Sequence, residues 1–245
     1  MPMVKRERAD RLLVACGLFE SRAQAQAAIA AGQVTADGTL VRKPSDEISS
    51  AAVIAAQPAH PYVSRGGIKL AAALDSFTID IAGRVCLDVG ASTGGFTEVL
   101  LARGARHVYA VDVGRAQLHA RLRGHRQVTA MEQTDIRALQ PSRLPELPDF
   151  AAIDVSFISL KLILPHVSDV LKPSATLLAL IKPQFEAGRR QIKKGVVRDP
   201  AVHVAICDGI TQLLIDLGWR VGGRTPSPIS GGDGNREFFI EAQRE

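Results

Sequence analysis

From about residue 80 onward, short apolar runs alternate with segments of helical period, and this alternation constrains the fold more than any other feature. Arg84-Val85-Cys86-Leu87-Asp88-Val89 reads as a buried strand. A helix follows from Gly95 to about Arg103, closed by Gly104. His107 to Val113 is a second strand and Val128 to Met131 a third. Asp149 to Val155 is a fourth, with a helix from about Ser159 to Leu171, and Ala175 to Ile181 is a fifth. Asp199-Pro200 opens a helix as N-cap and first helical residue, and this helix runs to Leu217 before Gly218. Trp219 to Thr225 and Glu237 to Ala242 supply two last strands. Strands alternating with helices of this length predict an α/β fold with a doubly wound, mostly parallel sheet.

The first fifty residues have a different grammar. Arg8 to Cys16 makes one short helical period, with Leu12, Leu13 and Cys16 on a face. Ser21 is placed as N-cap of a second helix that runs to about Ala31 and stops at Gly32. Val34 to Ala36 and Thr39 to Val41 flank Asp37-Gly38, a pair that accepts the positive φ of a two-residue hairpin turn. Ala51 to Ala56 is a final short strand, and Gln57-Pro58-Ala59-His60-Pro61 reads as a connector because two prolines interrupt regular structure. The chain therefore divides into a small α+β module at 1–57, a linker at 58–63 and a larger domain at 64–245.

The 46% apolar content is enough for a real core, yet no segment approaches the roughly 20 apolar residues of a membrane span. Met1 to Arg11 is charged, with no apolar stretch behind it, so no leader is expected. Cys16, Cys86 and Cys207 lack paired spacing, and the six histidines lack ligand spacing; a reducing cytoplasm and no metal are expected. The net charge of +5 is a mild bias towards anionic partners, and its placement is more informative. Lys182, Arg189, Arg190, Lys193, Lys194 and Arg198 share a stretch with one acid, Glu186. With eleven aromatic residues in the chain, a broad base-stacking platform is not expected, so contacts to phosphate and shape are favoured.

The first strand of the large domain ends in Asp88-Val89-Gly90-Ala91-Ser92-Thr93-Gly94-Gly95-Phe96. Open α/β sheets bind ligands at the carboxyl ends of their strands. The glycine spacing here differs from the G-x-G-x-x-G of dinucleotide folds. Asp88 just before Gly90 would repel a pyrophosphate and would favour an amino acid's ammonium. That argues for S-adenosylmethionine over a nicotinamide cofactor. Asp112, ending the second strand, is placed to accept ribose hydroxyls, and Asp135, after the third, to accept from an adenine amino group. Gly90, Ser92, Gly94, Gly95 and Phe96 complete the expected cofactor site.

Methyl transfer to a hydroxyl requires an aligned, deprotonated alcohol, a task suited to a lysine braced by carboxylates. Asp154 ends the fourth strand and Lys182 follows the fifth, so both lie on one rim of the sheet. Lys69 starts a helix before the first strand, and Glu237 opens the last strand. Pattern alone leaves these last two evenly balanced between solvated charge and site residue.

Five ordered motifs complete the reading. They are Ser64-Arg65-Gly66-Gly67-x-Lys69-Leu70, the Asp88–Phe96 loop, Asp154-Val155-Ser156-Phe157-Ile158-Ser159, Lys182-Pro183-Gln184-Phe185-Glu186 and Gly234-Asn235-x-Glu237. Together they resemble the TlyA/hemolysin A family of FtsJ-like ribosomal RNA methyltransferases. The resemblance implies a Rossmann-like methyltransferase sheet and a tetrad of Lys69, Asp154, Lys182 and Glu237, with Lys182 acting on the 2′-hydroxyl. It also implies 2′-O-methylation of cytidine, with ribosomal RNA or ribosomal subunits as partners. The N-terminal module resembles the S4 RNA-binding module, with Arg11-Leu12-Leu13, Ser21-Arg22 and Gly32-x-Val34 as matching stretches. That module's usual Arg-Leu-Asp opening stands here as Arg8-Ala9-Asp10-Arg11, read as a departure at the aspartate. Arg11, Arg22, Arg65, Arg189, Arg190, Lys193 and Lys194 are the expected RNA contacts. Three other readings stay open: an RNA-binding protein with a relic methyltransferase fold, a membrane-active hemolysin, and methylation of a base nitrogen.

Overall fold

The computed structural model describes residues 5–231 and 234–245; the first four residues of the stretch read as lacking a leader lie outside them. The chain forms two compact units, Met1–Pro61 and Tyr62–Glu245.

In the first unit, β1 (Arg6–Arg8) leads into α1 (Ala9–Ala15) and α2 (Arg22–Ala30). The Ser21 side chain caps α2 by accepting from the Gln24 amide. β2 (Val34–Ala36) and β3 (Thr39–Leu40) form the Asp37-Gly38 hairpin, both turn residues having positive φ, 48° and 74°. β4 (Glu47–Ser49) pairs with β1, and β5 (Ile54–Ala56) extends the hairpin to three strands. Neither β1 nor β4 is anticipated, because three-residue, largely polar strands have no legible period. Ala9, Leu13, Ala25, Ala28, Ile29 and Val34 form the core of the unit.

Asp10 is fully buried there and receives Arg8 at 3.1 Å, Arg22 at 2.6 Å and Gln26 at 2.9 Å. This corrects the reading of the module's opening: the aspartate stands at Asp10, and the replaced position is the leucine, now Ala9. It also changes the picture of Arg22, which uses both Nε and Nη2 to neutralise a buried carboxylate. Arg11 is exposed.

The second unit opens with α3 (Gly66–Ser76) and then alternates: β6 (Val85–Val89), α4 (Gly95–Ala102), β7 (His107–Val111), α5 (Ala120–Arg123), β8 (Val128–Met131) and β9 (Phe150–Ile153). It continues with α6 (Leu164–Asp169), β10 (Ala175–Ile181), α7 (Pro183–Glu186), α8 (Pro200–Asp216), β11 (Arg220–Pro226) and β12 (Phe238–Arg244). The seven strands run in the order β11-β12-β10-β9-β6-β7-β8. β12 runs antiparallel to both of its neighbours, β10 and β11, while the pairs from β10 to β8 are parallel. Every residue of β6, β9 and β10 is buried, which explains their unbroken apolar runs, since both sheet faces are covered. Leu70, Leu74, Val99 and Leu100 cover one face; Ile163, Val167, Ile210 and Leu214 cover the other.

The helix expected over 159–171 is instead a 3-10 turn, Leu160–Leu162, followed by α6. Pro165 sits in the first turn of α6, where its missing N–H costs nothing, and it bars a continuous helix through that point. The last strand begins at Phe238, so Glu237 stands just ahead of it. The chain winds outward from β6 to β8 and then returns to β9 on the other side of β6. The crevice at the carboxyl ends of β6 and β9 is therefore the switch point where such sheets bind ligands.

Candidate active site

At that switch point β6 turns sharply through Gly90, which has φ +84°. A Cβ there would lie 2.6 Å from the Asp154 carbonyl oxygen, so the loop ends of β6 and β9 touch only because residue 90 is glycine. Gly95 packs against the start of α3: a Cβ would lie 3.0 Å from the Gly67 amide nitrogen and would displace the Ser64 hydroxyl. Asp112 joins this loop to the one after β7, its two oxygens accepting from the Ser92 and Gly114 amides, each at 2.7 Å.

Of the expected cofactor contacts, Asp88 is placed away from the crevice, while Asp135 and Phe96 lie on the cavity walls with other partners as well. Asp88 is fully buried in β6 and does not line the crevice; one oxygen accepts from the Thr97 hydroxyl at 2.6 Å, and the other, Oδ1, has no hydrogen-bond partner. Alternation along the strand turns it towards α4 instead of the ligand. Asp135 gives both oxygens to Arg137, with a closest approach of 2.6 Å, and caps the turn that follows it. Phe96 is 3% exposed and stacked on Phe239, so it is floor and core together. Gly94 caps α4 from a left-handed conformation.

Burial pushes the Asp88 carboxyl up to about 7, against the hydrogen bond from Thr97, with Asp154 adding repulsion. Its folded value lies above its unfolded one, so the stability that Asp88 contributes is full below about pH 4 and is lost as pH rises to about 7. In Asp88→Asn, the fall in melting temperature between pH 5 and pH 8 should be clearly shallower than in the unmodified chain. Equal slopes would remove Asp88 as its source.

Three cavities with shared walls follow the rim. The first, about 530 Å³, is bounded by Gly90, Ser92, Asp112, Asp135, Asp154 and Phe157. The second, about 290 Å³, shares Gly90 and Asp154 with it and adds Ser64, Arg65, Lys69 and Lys182. The third, about 500 Å³, shares Lys69 and Lys182 with the second and adds Phe157, Asn235 and Glu237. The four charged residues of the tetrad are brought together here as two pairs. Lys69 Nζ donates to Glu237 Oε2 at 2.5 Å. Lys182 Nζ lies 2.7 Å from Asp154 Oδ1 as an ion pair and donates to Ser156 Oγ at 2.9 Å. Lys69, Lys182 and Glu237 are all buried.

Three residues of the quoted motifs acquire roles that pattern did not assign. Ser156 fixes the Lys182 amine. Glu186 braces the loop after β9 from 26 residues away, accepting from the Ser159 hydroxyl at 2.5 Å and the Leu160 amide at 2.7 Å. Phe157 is 91% exposed at φ +65°, with the Phe185 ring 5.1 Å away. A bulky residue with positive φ is strained, and such strain gathers at functional sites. Arg65 lies exposed beside the second cavity, and Arg189, Arg190, Lys193 and Lys194 are exposed on the segment after α7. Among the described residues no His, Cys, Asp or Glu cluster is arranged to hold a metal, and no helix is long and apolar enough to cross a membrane.

Comparison with known proteins gives a consistent picture. Residues 62–244 match the FtsJ-like methyltransferase family and residues 7–54 match the S4 domain. The chain is 43% identical over 241 residues to the 16S/23S rRNA (cytidine-2′-O)-methyltransferase TlyA of Mycobacterium tuberculosis, spanning 97% of this chain and 90% of that one. It is 39% identical over 234 residues to hemolysin A of Brachyspira hyodysenteriae, spanning 95% and 98% respectively. A solved structure from Streptococcus thermophilus that carries a hemolysin label superposes with a TM-score of 0.78 at 43% identity, covering 98% of this chain and 89% of that one.

Proposed function

We propose, on the premise that the chain belongs to the FtsJ-like methyltransferase family, that it methylates the ribose 2′-oxygen of cytidine in ribosomal RNA, using S-adenosylmethionine. The observation that carries this reading is the Lys182 amine, held by Asp154 and Ser156 where the second and third cavities meet.

The residues present fit this cofactor. The first cavity offers the Asp112 carboxylate at the end of β7, the natural partner of ribose hydroxyls. Among the described residues of its wall the cation is Arg137, which is paired with Asp135 and so does not invite a pyrophosphate. Bound S-adenosylmethionine supplies a sulfonium methyl group as electrophile. Everything else is done by the chain. Acting as the neutral amine, Lys182 Nζ would take the proton of the 2′-hydroxyl in the third cavity as that oxygen bonds the methyl group released by the sulfonium, and Asp154 would pair with the ammonium so formed. Lys69 and Glu237 line the same cavity and hold the acceptor's orientation.

The 2′-hydroxyl distinguishes RNA from DNA. An S4 module, an exposed basic segment and a relative named for cytidine in ribosomal RNA support ribosomal RNA as the substrate, in the cytoplasm, presented naked or in ribosomal subunits. A relic fold would have no need of two intact ion pairs, one of them buried, along the cavities of the rim. The hemolysin label belongs to chains of this same architecture and adds no membrane-spanning helix among the described residues.

Phe157 stands between the first and third cavities as a stacking surface for a base turned out of its helix. Phe157→Ala is expected to weaken RNA binding by about 1–3 kcal/mol, the worth of one stacked base. Cofactor affinity by calorimetry should be unchanged; a parallel loss of both would make the ring a structural element. The functional reading is tested by incubating purified protein with labelled S-adenosylmethionine and naked ribosomal RNA, separated subunits or bulk transfer RNA. Label confined to ribosomal RNA supports it, and label confined to transfer RNA refutes it.

A further inference from the structure

Asn235 bridges the basic segment and the strand that follows Glu237. It is 2% exposed. Its Nδ2 donates to the Gly195 carbonyl at 3.0 Å, and its Oδ1 accepts from the Val197 amide at 3.3 Å. Its own carbonyl accepts from the Gly231 amide at 2.9 Å. A carboxamide is suited to this place because it offers a donor and an acceptor side by side to two backbone groups that would otherwise need other partners.

The bridged segment is a tight turn. Lys193 and Val196 exchange two backbone hydrogen bonds, at 3.0 and 3.1 Å, around Lys194 and Gly195, whose φ values are 51° and 78°. From the α8 side, His203 Nε2 lies 2.9 Å from the Val197 carbonyl oxygen and gives the segment a second hold. The turn leaves Lys193 and Lys194 exposed, while Ile192 and Gly195 form part of the wall of the third cavity. Cationic side chains and acceptor cavity are thus two sides of one short turn, and Asn235 joins that turn to the backbone two residues before Glu237.

We propose that Asn235 is a positioning residue: it holds the Lys193–Lys194 turn against the acceptor cavity, so that the phosphates gripped by the turn are those flanking the nucleotide presented to Lys182. This rests on the RNA reading above. Asn235 lies in the wall of the acceptor cavity, but its carboxamide is engaged by Gly195 and Val197, so it acts through the two lysines.

A double-mutant cycle on the full chain tests this. The variants are Asn235→Ala, Lys193→Ala with Lys194→Ala, and the triple change, compared for RNA KM, kcat, cofactor affinity and the slope of RNA affinity against salt. Removing the lysines is expected to raise RNA KM about tenfold and reduce the salt slope by about 1 to 2, as lost phosphate contacts do. Asn235→Ala should reproduce both changes, and the triple variant should be no worse than either, because all remove one shared contact. Cofactor affinity should stay within about twofold, since that site has no share in the contact. A multiplicative loss of about 100-fold in the triple variant, or an unchanged salt slope in Asn235→Ala, would overturn the proposal. Should Asn235→Ala not fold, Asn235→Asp takes its place, keeping the acceptor for Val197 and losing the donor to Gly195. If neither folds, Asn235 belongs to the scaffold and the proposal is wrong. Failure of the unmodified protein to methylate any RNA it binds would sink the functional reading instead, while the binding data and salt slopes would still decide this one.

Discussion

Lys182→Ala should lower methyl transfer by about 10²–10⁴-fold, the usual worth of a positioned acid–base group, with cofactor and RNA still bound. The size of the effect follows from how the amine is held. It is nine-tenths buried, with Asp154 at 2.7 Å and Ser156 at 2.9 Å, so its position is set before any acceptor arrives. The truncation removes the group proposed to take the acceptor's proton and also strands Asp154. Two measurements are needed, kcat at saturating RNA and cofactor affinity by calorimetry. A variant that keeps at least a third of the wild-type kcat would remove Lys182 from the central role. A variant that loses cofactor binding as well would show that the lysine shapes the crevice more than the reaction.

The second large effect concerns the Lys69–Glu237 pair, whose side chains are 9% and 2% exposed. Glu237→Ala leaves an ammonium buried without its counter-ion, which costs about 3–5 kcal/mol of stability. Activity will be lost too, but that loss by itself does not distinguish a wall that collapsed from a wall that aligned the acceptor. The double replacement Lys69→Met with Glu237→Leu separates the two. Exchanging a buried ion pair for apolar groups of similar size is often neutral or stabilising by about 1–4 kcal/mol. The double variant is therefore expected to melt near or above the unmodified chain and bind S-adenosylmethionine normally, yet transfer methyl groups poorly. A stable double variant with normal turnover would make the pair a purely structural element.

The sheet is readable from the chain because its central strands are buried on both faces and appear as unbroken apolar runs between glycine and polar turns. The strand-end chemistry is readable for a related reason. In a parallel sheet the residue just past each strand must sit on the ligand rim, which places Asp112, Asp154 and Lys182 without coordinates. What the chain conceals is direction and pairing. Asp88 lies within its strand, and pattern does not say which face it takes; it turns inward, to Thr97. Asp135 looks free until Arg137, two residues on, folds back over it. The Lys69–Glu237 bond joins residues 168 apart, and Glu186 reaches Ser159 across 27, spacings no local period can report. Phe157 reads as one more apolar residue in a strand-end motif, and only its backbone conformation shows that the ring is held outward. In the first unit, one buried aspartate, Asp10, claims Arg22.

The identity of the methylated atom is decided by alkaline hydrolysis of the labelled product. A methyl group on a 2′-oxygen removes the nucleophile that cleaves the neighbouring phosphodiester. The predicted result is that label from the unmodified enzyme appears in alkali-resistant dinucleotides bearing cytidine on the 5′ side, and is absent with Lys182→Ala. Label released in single nucleotides, carried on the base, would contradict it.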